Sequence, residues 1–243
     1  MSESPASPAP HRWHVASGNI PGKKAPRGWG PTVAVVATML VLAGAIAALI
    51  WWIHAPPKPR FVGVWIDQYT DGHVPPNPWS AQNRDALLGL GWRDKHHFGR
   101  QELTSVRADL AALHDERDPS IVVYLGARAM AGDGGDVAVL PSDADLERPE
   151  SWLSLRDVLR SVSACPAKHK LLVLDIMESF VAPRSGVLVD DVATRTEALV
   201  KKATDDDPNL LVLSACAAGQ TALDSQDLGH SVFAYYLLRG LSG

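Results

Sequence analysis

Cysteine is almost absent from this chain. Cys165 and Cys216, two in 243 residues, allow one disulfide at most and exclude a disulfide-stapled scaffold. Each lies near the end of an apolar run, so both read as buried free thiols. Several chemical signatures are missing as well. There is no Gly-x-Gly-x-x-Gly, no phosphate loop ending in Gly-Lys-Ser/Thr, no Gly-x-Ser-x-Gly elbow and no His-Glu-x-x-His. Nucleotide-binding and zinc-hydrolase readings are therefore unsupported, and no cofactor is expected. His96 and His97 are neighbours whose side chains point apart, with no Cys or carboxylate at ligand spacing, so they read as an exposed loop pair and no metal site is expected. Basic clusters are missing beyond the N-terminus. Residues 1–31 carry 4 basic and 1 acidic side chain, whereas the remainder carries 19 basic and 26 acidic, net −7. A domain this acidic is a poor partner for nucleic acid, whose phosphates demand clustered Lys and Arg.

Charge is also missing, completely, from Thr32 to Ile53. At about 1.5 Å per helical residue these 22 positions reach roughly 33 Å, enough for a hydrocarbon core of about 30 Å. Trp29, Trp51 and Trp52 flank the run, where indoles favour the lipid–water interface. The run is longer than the apolar region of a cleaved signal peptide and no small-residue cleavage site follows it, so it reads as an anchor. Arg12, Lys23, Lys24 and Arg27 precede it and only Lys58 and Arg60 follow closely. This bias predicts a single-pass cell membrane protein with a cytoplasmic N-terminus and its soluble domain on the other side.

Prolines at 5, 8, 10, 21 and 26 among Ser, Ala and Gly make residues 1–31 a disordered tail. The Pro-rich stretch 54–60 is a short, stiff spacer. Residues 61–243 are left as one domain, long enough to bury a core.

Four apolar runs in that domain read as strands: FVGVWID at 61–67, IVVYL at 121–125, KLLVLDI at 170–176 and NLLVLSA at 209–215. Continuous apolarity implies burial on both faces, as in a parallel sheet covered by helices. Helical patterns alternate with them. One is TSVRADLAALHDE, with Thr104 as N-cap. In another, SLRDVLRSVSAC, Ser154 and Asp157 have capping-box spacing. DVATRTEALVKKA and GHSVFAYYLLRGL complete the set. The expected fold is therefore a three-layer α/β/α domain with a mostly parallel sheet, preceded by one transmembrane helix.

Ligands of such sheets gather beyond the carboxyl ends of the strands. The segments there, IVVYLGARAMAGDGGDVAVLPSDAD, HKLLVLDIMESF, LLVLSACAAGQTALD and GHSVFAYYLLRGL, resemble in order and spacing the bacterial branch of the caspase and metacaspase cysteine peptidases. The resemblance implies a caspase-like fold and, in an intact member, cysteine-type endopeptidase activity. The family's general-base His falls on Arg128 and its nucleophilic Cys on Met177. A guanidinium stays protonated and a thioether has no proton to lose, so neither family role can be filled. No catalytic pair is intact. The resemblance further places Asp175 in the pocket for basic side chains, with Gln220 and Asp224 on the loop facing it, which makes a basic peptide the expected partner alongside the membrane; the alternative for Asp175 is a purely structural one, capping a strand end or accepting backbone hydrogen bonds. Asp143, Asp145 and the Asp133–Asp136 loop read as turn-formers. DIMES at 175–179 lacks the first serine of an Asp-x-Ser-x-Ser metal loop because Met177 stands there. The expectation is thus a pseudopeptidase acting as a binding or regulatory module. The alternatives are an active cysteine endopeptidase rebuilt on Cys216 and His230, or a purely structural module.

Overall fold

A computed structural model describes residues 31–54, 58–93, 95–97, 101–178 and 191–242. The tail expected over 1–31 lies outside them apart from Pro31, as do residues 55–57 of the spacer and Ser179 of DIMES. The chain divides into two compact units, Met1–Ala55 and Pro56–Gly243.

In the first unit, α1 (Pro31–His54) is helical, and its side chains are described over residues 36–49. Val36, Met39, Leu40, Val41, Leu42, Ile46 and Leu49 are all exposed there. Among the described residues no helix is long and apolar enough to cross a membrane, so the span expected over 32–53 is not shown by them.

The second unit is built on β1 (Arg60–Trp65), β2 (Lys95–His97), β3 (Ser120–Ala131), β4 (Val137–Val139), β5 (Leu153–Ser154), β6 (His169–Glu178) and β7 (Leu210–Ser214). The described residues form a mixed sheet of seven strands. Its body is parallel, in the order β2-β1-β3-β6-β7. Beyond the end of β1, the second half of β3 turns the same edge to β4, which pairs antiparallel and passes to β5. All four apolar runs are strands, and β3 continues six residues past the expected Leu125 because β4 and β6 both keep pairing with it. His96 and His97 are corrected: they lie in β2, in register with Val62 and Gly63, and not in a loop. The open edge of β1 supplies backbone donors and acceptors that a polar strand satisfies as well as an apolar one.

Helices α3 (Leu103–Ala112), α4 (Leu155–Ala164) and α5 (Val192–Asp206) cover one face of the sheet, packing Val106, Leu110, Val158, Leu159, Val162 and Val192 against Val64, Val123, Leu172 and Leu174. Helices α2 (Ser80–Gly89) and α6 (Val232–Ser242) cover the other, with Leu87, Phe233 and Leu237 against Phe61, Trp65, Tyr124 and Val173. Gly63 is required on that face. A Cβ there would lie 2.0 Å from the Trp65 ring, which folds back over the glycine.

Capping follows the sequence at one helix and departs from it at another. Ser154 Oγ accepts the Asp157 N–H at 3.3 Å, as its spacing predicts. Thr104 is not a cap: α3 begins at Leu103 after Glu102, and the Leu103 N–H is taken by Asp143 Oδ1 at 2.8 Å. A carboxylate forty residues away does the work that the expectation assigned locally.

Candidate functional site

Strand pleating sends alternate side chains to opposite faces. On β3, Tyr124, Gly126 and Arg128 therefore share the α2/α6 face, and on β6, Val173, Asp175 and Met177 share it too. Register makes the two positions of interest direct neighbours: Arg128 is paired with Met177 and Gly126 with Asp175 near the carboxyl ends of the two central strands.

Arg128 joins three segments. Its guanidinium donates to the Pro76 carbonyl at 3.0 Å and to the Glu178 carbonyl at 3.3 Å, and approaches Asp224 Oδ2 at 4.0 Å. Its backbone N–H donates to Tyr69 Oη at 2.7 Å, and burial pushes that phenol well above its ordinary pKa. The Arg128 side chain is only 11% exposed. Met177 is buried beside it. A permanently charged fork set among carbonyl acceptors, next to a thioether, can orient and neutralise but can neither accept a proton nor attack a carbonyl.

Asp175 lies deeper, 2% exposed. Its Oδ2 accepts from Tyr124 Oη at 2.6 Å, from Ser231 Oγ at 2.8 Å and from Asn83 Nδ2 at 3.4 Å, while Oδ1 is buried without a partner. Burial holds this carboxyl above its usual range, against the pull of the Tyr124 and Ser231 hydroxyls. The Tyr124 phenol is raised in turn, chiefly by burial. Ser231 also accepts the Ala234 N–H at 3.0 Å and so caps α6. The network closes through Asn83 Oδ1, 2.7 Å from His230 Nδ1. Asp175 is thus an internal tie between β6, α2 and α6, and it presents no carboxylate edge to solvent.

The other expected residues fall in different places. Asp224 opens a small hairpin, β8 (Asp224–Ser225) paired with β9 (His230–Ser231) and turned by Gly229 at φ 63°. Its carboxyl, 25% exposed beside the Arg128 guanidinium, is pushed up by burial and drawn partway back by Arg128. Gln220 turns away to the α5 side, where its Oε1 accepts the Ala217 N–H at 3.2 Å. Cys216 is half-buried and free, as Cys165 is free and buried. Burial pushes the Cys216 thiol up, and Glu178 adds to it. A nucleophilic thiolate needs a cation or helix N-terminus beside it, and Cys216 has carboxylates. With the His230 ring engaged by Asn83, the alternative pair gains no support from this geometry. Asp145 accepts from Glu147 N–H and from Arg148 within its turn, while Gly134 and Gly135 carry the positive φ of the Gly/Asp loop. Among the described residues no cluster of His, Cys, Asp or Glu could hold a metal.

Sequence reasoning missed Tyr69, Pro76, Asn83, Tyr124 and Ser231. Only Ser231 left a usable signal, a serine directly before an apolar helical run.

The domain has a caspase-like fold. Among solved structures it is similar to caspase-1 from Spodoptera frugiperda, at TM-score 0.50 and 10% identity over 76% of this chain and 69% of that one. It is also similar to a protein from Geobacter sulfurreducens, at TM-score 0.46 and 10% identity over 77% of this chain and 82% of that one. No family model matches the chain, and no curated protein matches it. At such identities the likeness is one of fold.

Proposed function

We propose that this chain is a membrane-anchored, caspase-like pseudopeptidase that works by binding and does not hydrolyse peptides. The observation that carries this reading is the register pair Arg128–Met177, at the carboxyl edge of the two central strands. The resemblance assigns the catalytic His and Cys to these positions, and their chemistry excludes both roles. Cationic peptides are the partner class, met by the part-exposed Asp224 carboxyl beside Arg128. For the anchor, the support is the uncharged run 32–53 and the exposure of apolar side chains all along the described part of α1, a pattern that calls for lipid or for another protein.

The purified full chain should not cleave fluorogenic peptides ending in Arg or Lys, nor be labelled by thiol-directed peptidyl probes. It should bind a fluorescent Arg-rich peptide with an affinity that drops at least about fivefold in Asp224→Asn. Probe labelling that vanishes in Cys216→Ala would replace this reading with the rearranged peptidase. Peptide binding indifferent to Asp224 would remove this carboxyl from the reading.

A further inference from the structure

Among the described residues of the second unit, the large apolar side chains left exposed are Leu211, Leu213, Leu223, Tyr236 and Leu241, and all of them belong to β7, α6 or the segment between the two. β7 is the edge of the sheet, paired only with β6. Leu211 and Leu213 stand in register with Leu171 and Val173, so pleating sends all four to the face on which α6 packs. α6 covers Val173 and stops short of the β7 leucines, which remain 60% and 37% exposed. A helix is about 10 Å thick, so α6 forms a ridge beside an apolar shelf. A hollow of about 470 Å³ carries the shelf on toward the amino ends of the strands, with Val122, Leu171 and Leu211 in its lining. The ridge itself presents aromatic surface. Ala234 is fully buried, and at 3.6 residues per turn Tyr236 points almost the opposite way, 66% exposed. Tyr235 is held beside it, edge-on to the Tyr236 ring and accepting a hydrogen bond from Arg239 at 3.1 Å. Tyrosine and arginine are the usual anchors of protein interfaces.

We propose that this face is the contact between two copies of the chain, related by a two-fold axis running along the strands, with Tyr236 of each copy seated on Leu211 and Leu213 of the other. α6 starts beside Asp175 and runs back along β6, so at about 1.5 Å per helical residue and 3.3 Å per strand residue Tyr236 comes roughly level with Val173 and Leu213. Rotation about that axis leaves heights along the strands unchanged. A ridge and a shelf at one level on the same molecule therefore meet in the pair, as an isologous contact requires. The exposed apolar side chains amount to on the order of 500 Å² per copy, against the roughly 800 Å² that each side of a standard interface buries, and polar neighbours make up the remainder. A partner shaped to the shelf alone would leave the tyrosines wet. The contact stands independently of the Arg128 reading.

In the full chain in nonionic detergent, sedimentation equilibrium should show a dimer that dissociates in the micromolar range, and Leu213→Glu or Tyr236→Glu should weaken it at least about tenfold. Both side chains are exposed, so a charge at either position meets water in the single copy. Disulfide trapping separates this contact from association through α1. Chains carrying Tyr236→Cys and chains carrying Leu213→Cys, each with Cys216→Ala, are mixed and oxidised. The mixture should cross-link at least about fivefold faster than either chain alone, because the axis sets unlike positions against each other. Should a Glu variant fail to fold, the cross-linking comparison decides alone. A monomer at about 100 μM, a dimer indifferent to both Glu substitutions, or a mixture no faster than its components would each overturn the contact.

Discussion

Asp175 has three donors converging on one oxygen and none on the other, in a place water does not reach. Its carboxyl is therefore easier to protonate in the folded chain than in the unfolded one. The folded state binds more protons than the unfolded state from the ordinary Asp pKa upward, so this group's contribution to stability declines as pH rises through that window. Urea denaturation of the wild type and Asp175→Asn across a pH series should show it: the gap between them should move against the wild type on going from acid toward neutral pH. A gap constant with pH would mean that the carboxyl ionises as freely inside as outside. Arg128 is the opposite case, a group whose charge never changes and whose worth lies in geometry. Arg128→Met keeps much of the apolar stem but orphans the Pro76 and Glu178 carbonyls, and should cost on the order of 2–3 kcal/mol in the same assay.

At the scale of elements, the legible parts were those stabilised by apolar burial. β1, β3 and β6 announce themselves because both of their faces are covered, and α4 does so through an apolar stripe and a local cap; β7 carries the same continuous apolar run although Leu211 and Leu213 on one of its faces are exposed. Helix α2 was silent because the face it buries is largely polar: Ser80 and Asn83 are buried with Leu87, and a hydrophobic period cannot register serine and asparagine. The same silence hid the site. Asp175 and Arg128 stood out as charges at strand ends, but Asn83, Tyr124 and Ser231 meet Asp175 only through contacts 51 to 92 residues apart. The cap of α3 was missed for the same reason, since Asp143 is remote in sequence. Two substitutions separate the local cap from the apparent one. Ser154→Ala removes the partner of the Asp157 N–H and of Asp136 Oδ2 and should cost about 1–2 kcal/mol, whereas Thr104→Ala, on the exposed side of α3, should stay within about 0.5 kcal/mol of wild type.

For the whole molecule, the proposed anchor and the proposed binding domain together imply a fixed address. If residues 32–53 span a bilayer, the chain should remain in the pellet when membranes are washed with alkaline carbonate, and deletion of 32–53 should release it; recovery of the intact chain in the wash would refute the anchor. The central strand β3 has one further consequence, for the order in which the molecule comes together. It is flanked by β1, made about 60 residues earlier, and by β6, made about 50 residues later. During synthesis at about 5–20 residues per second, one edge of β3 stays open for roughly 3–10 s after the other can close. For that interval the nascent chain carries the edge of a strand that is apolar on both faces, the most adhesive object in the fold. The sheet is thus most exposed to a wrong partner before β6 emerges, and crowding among ribosomes or a slow stretch of translation just before His169 would reduce its folding yield more than any delay after β7.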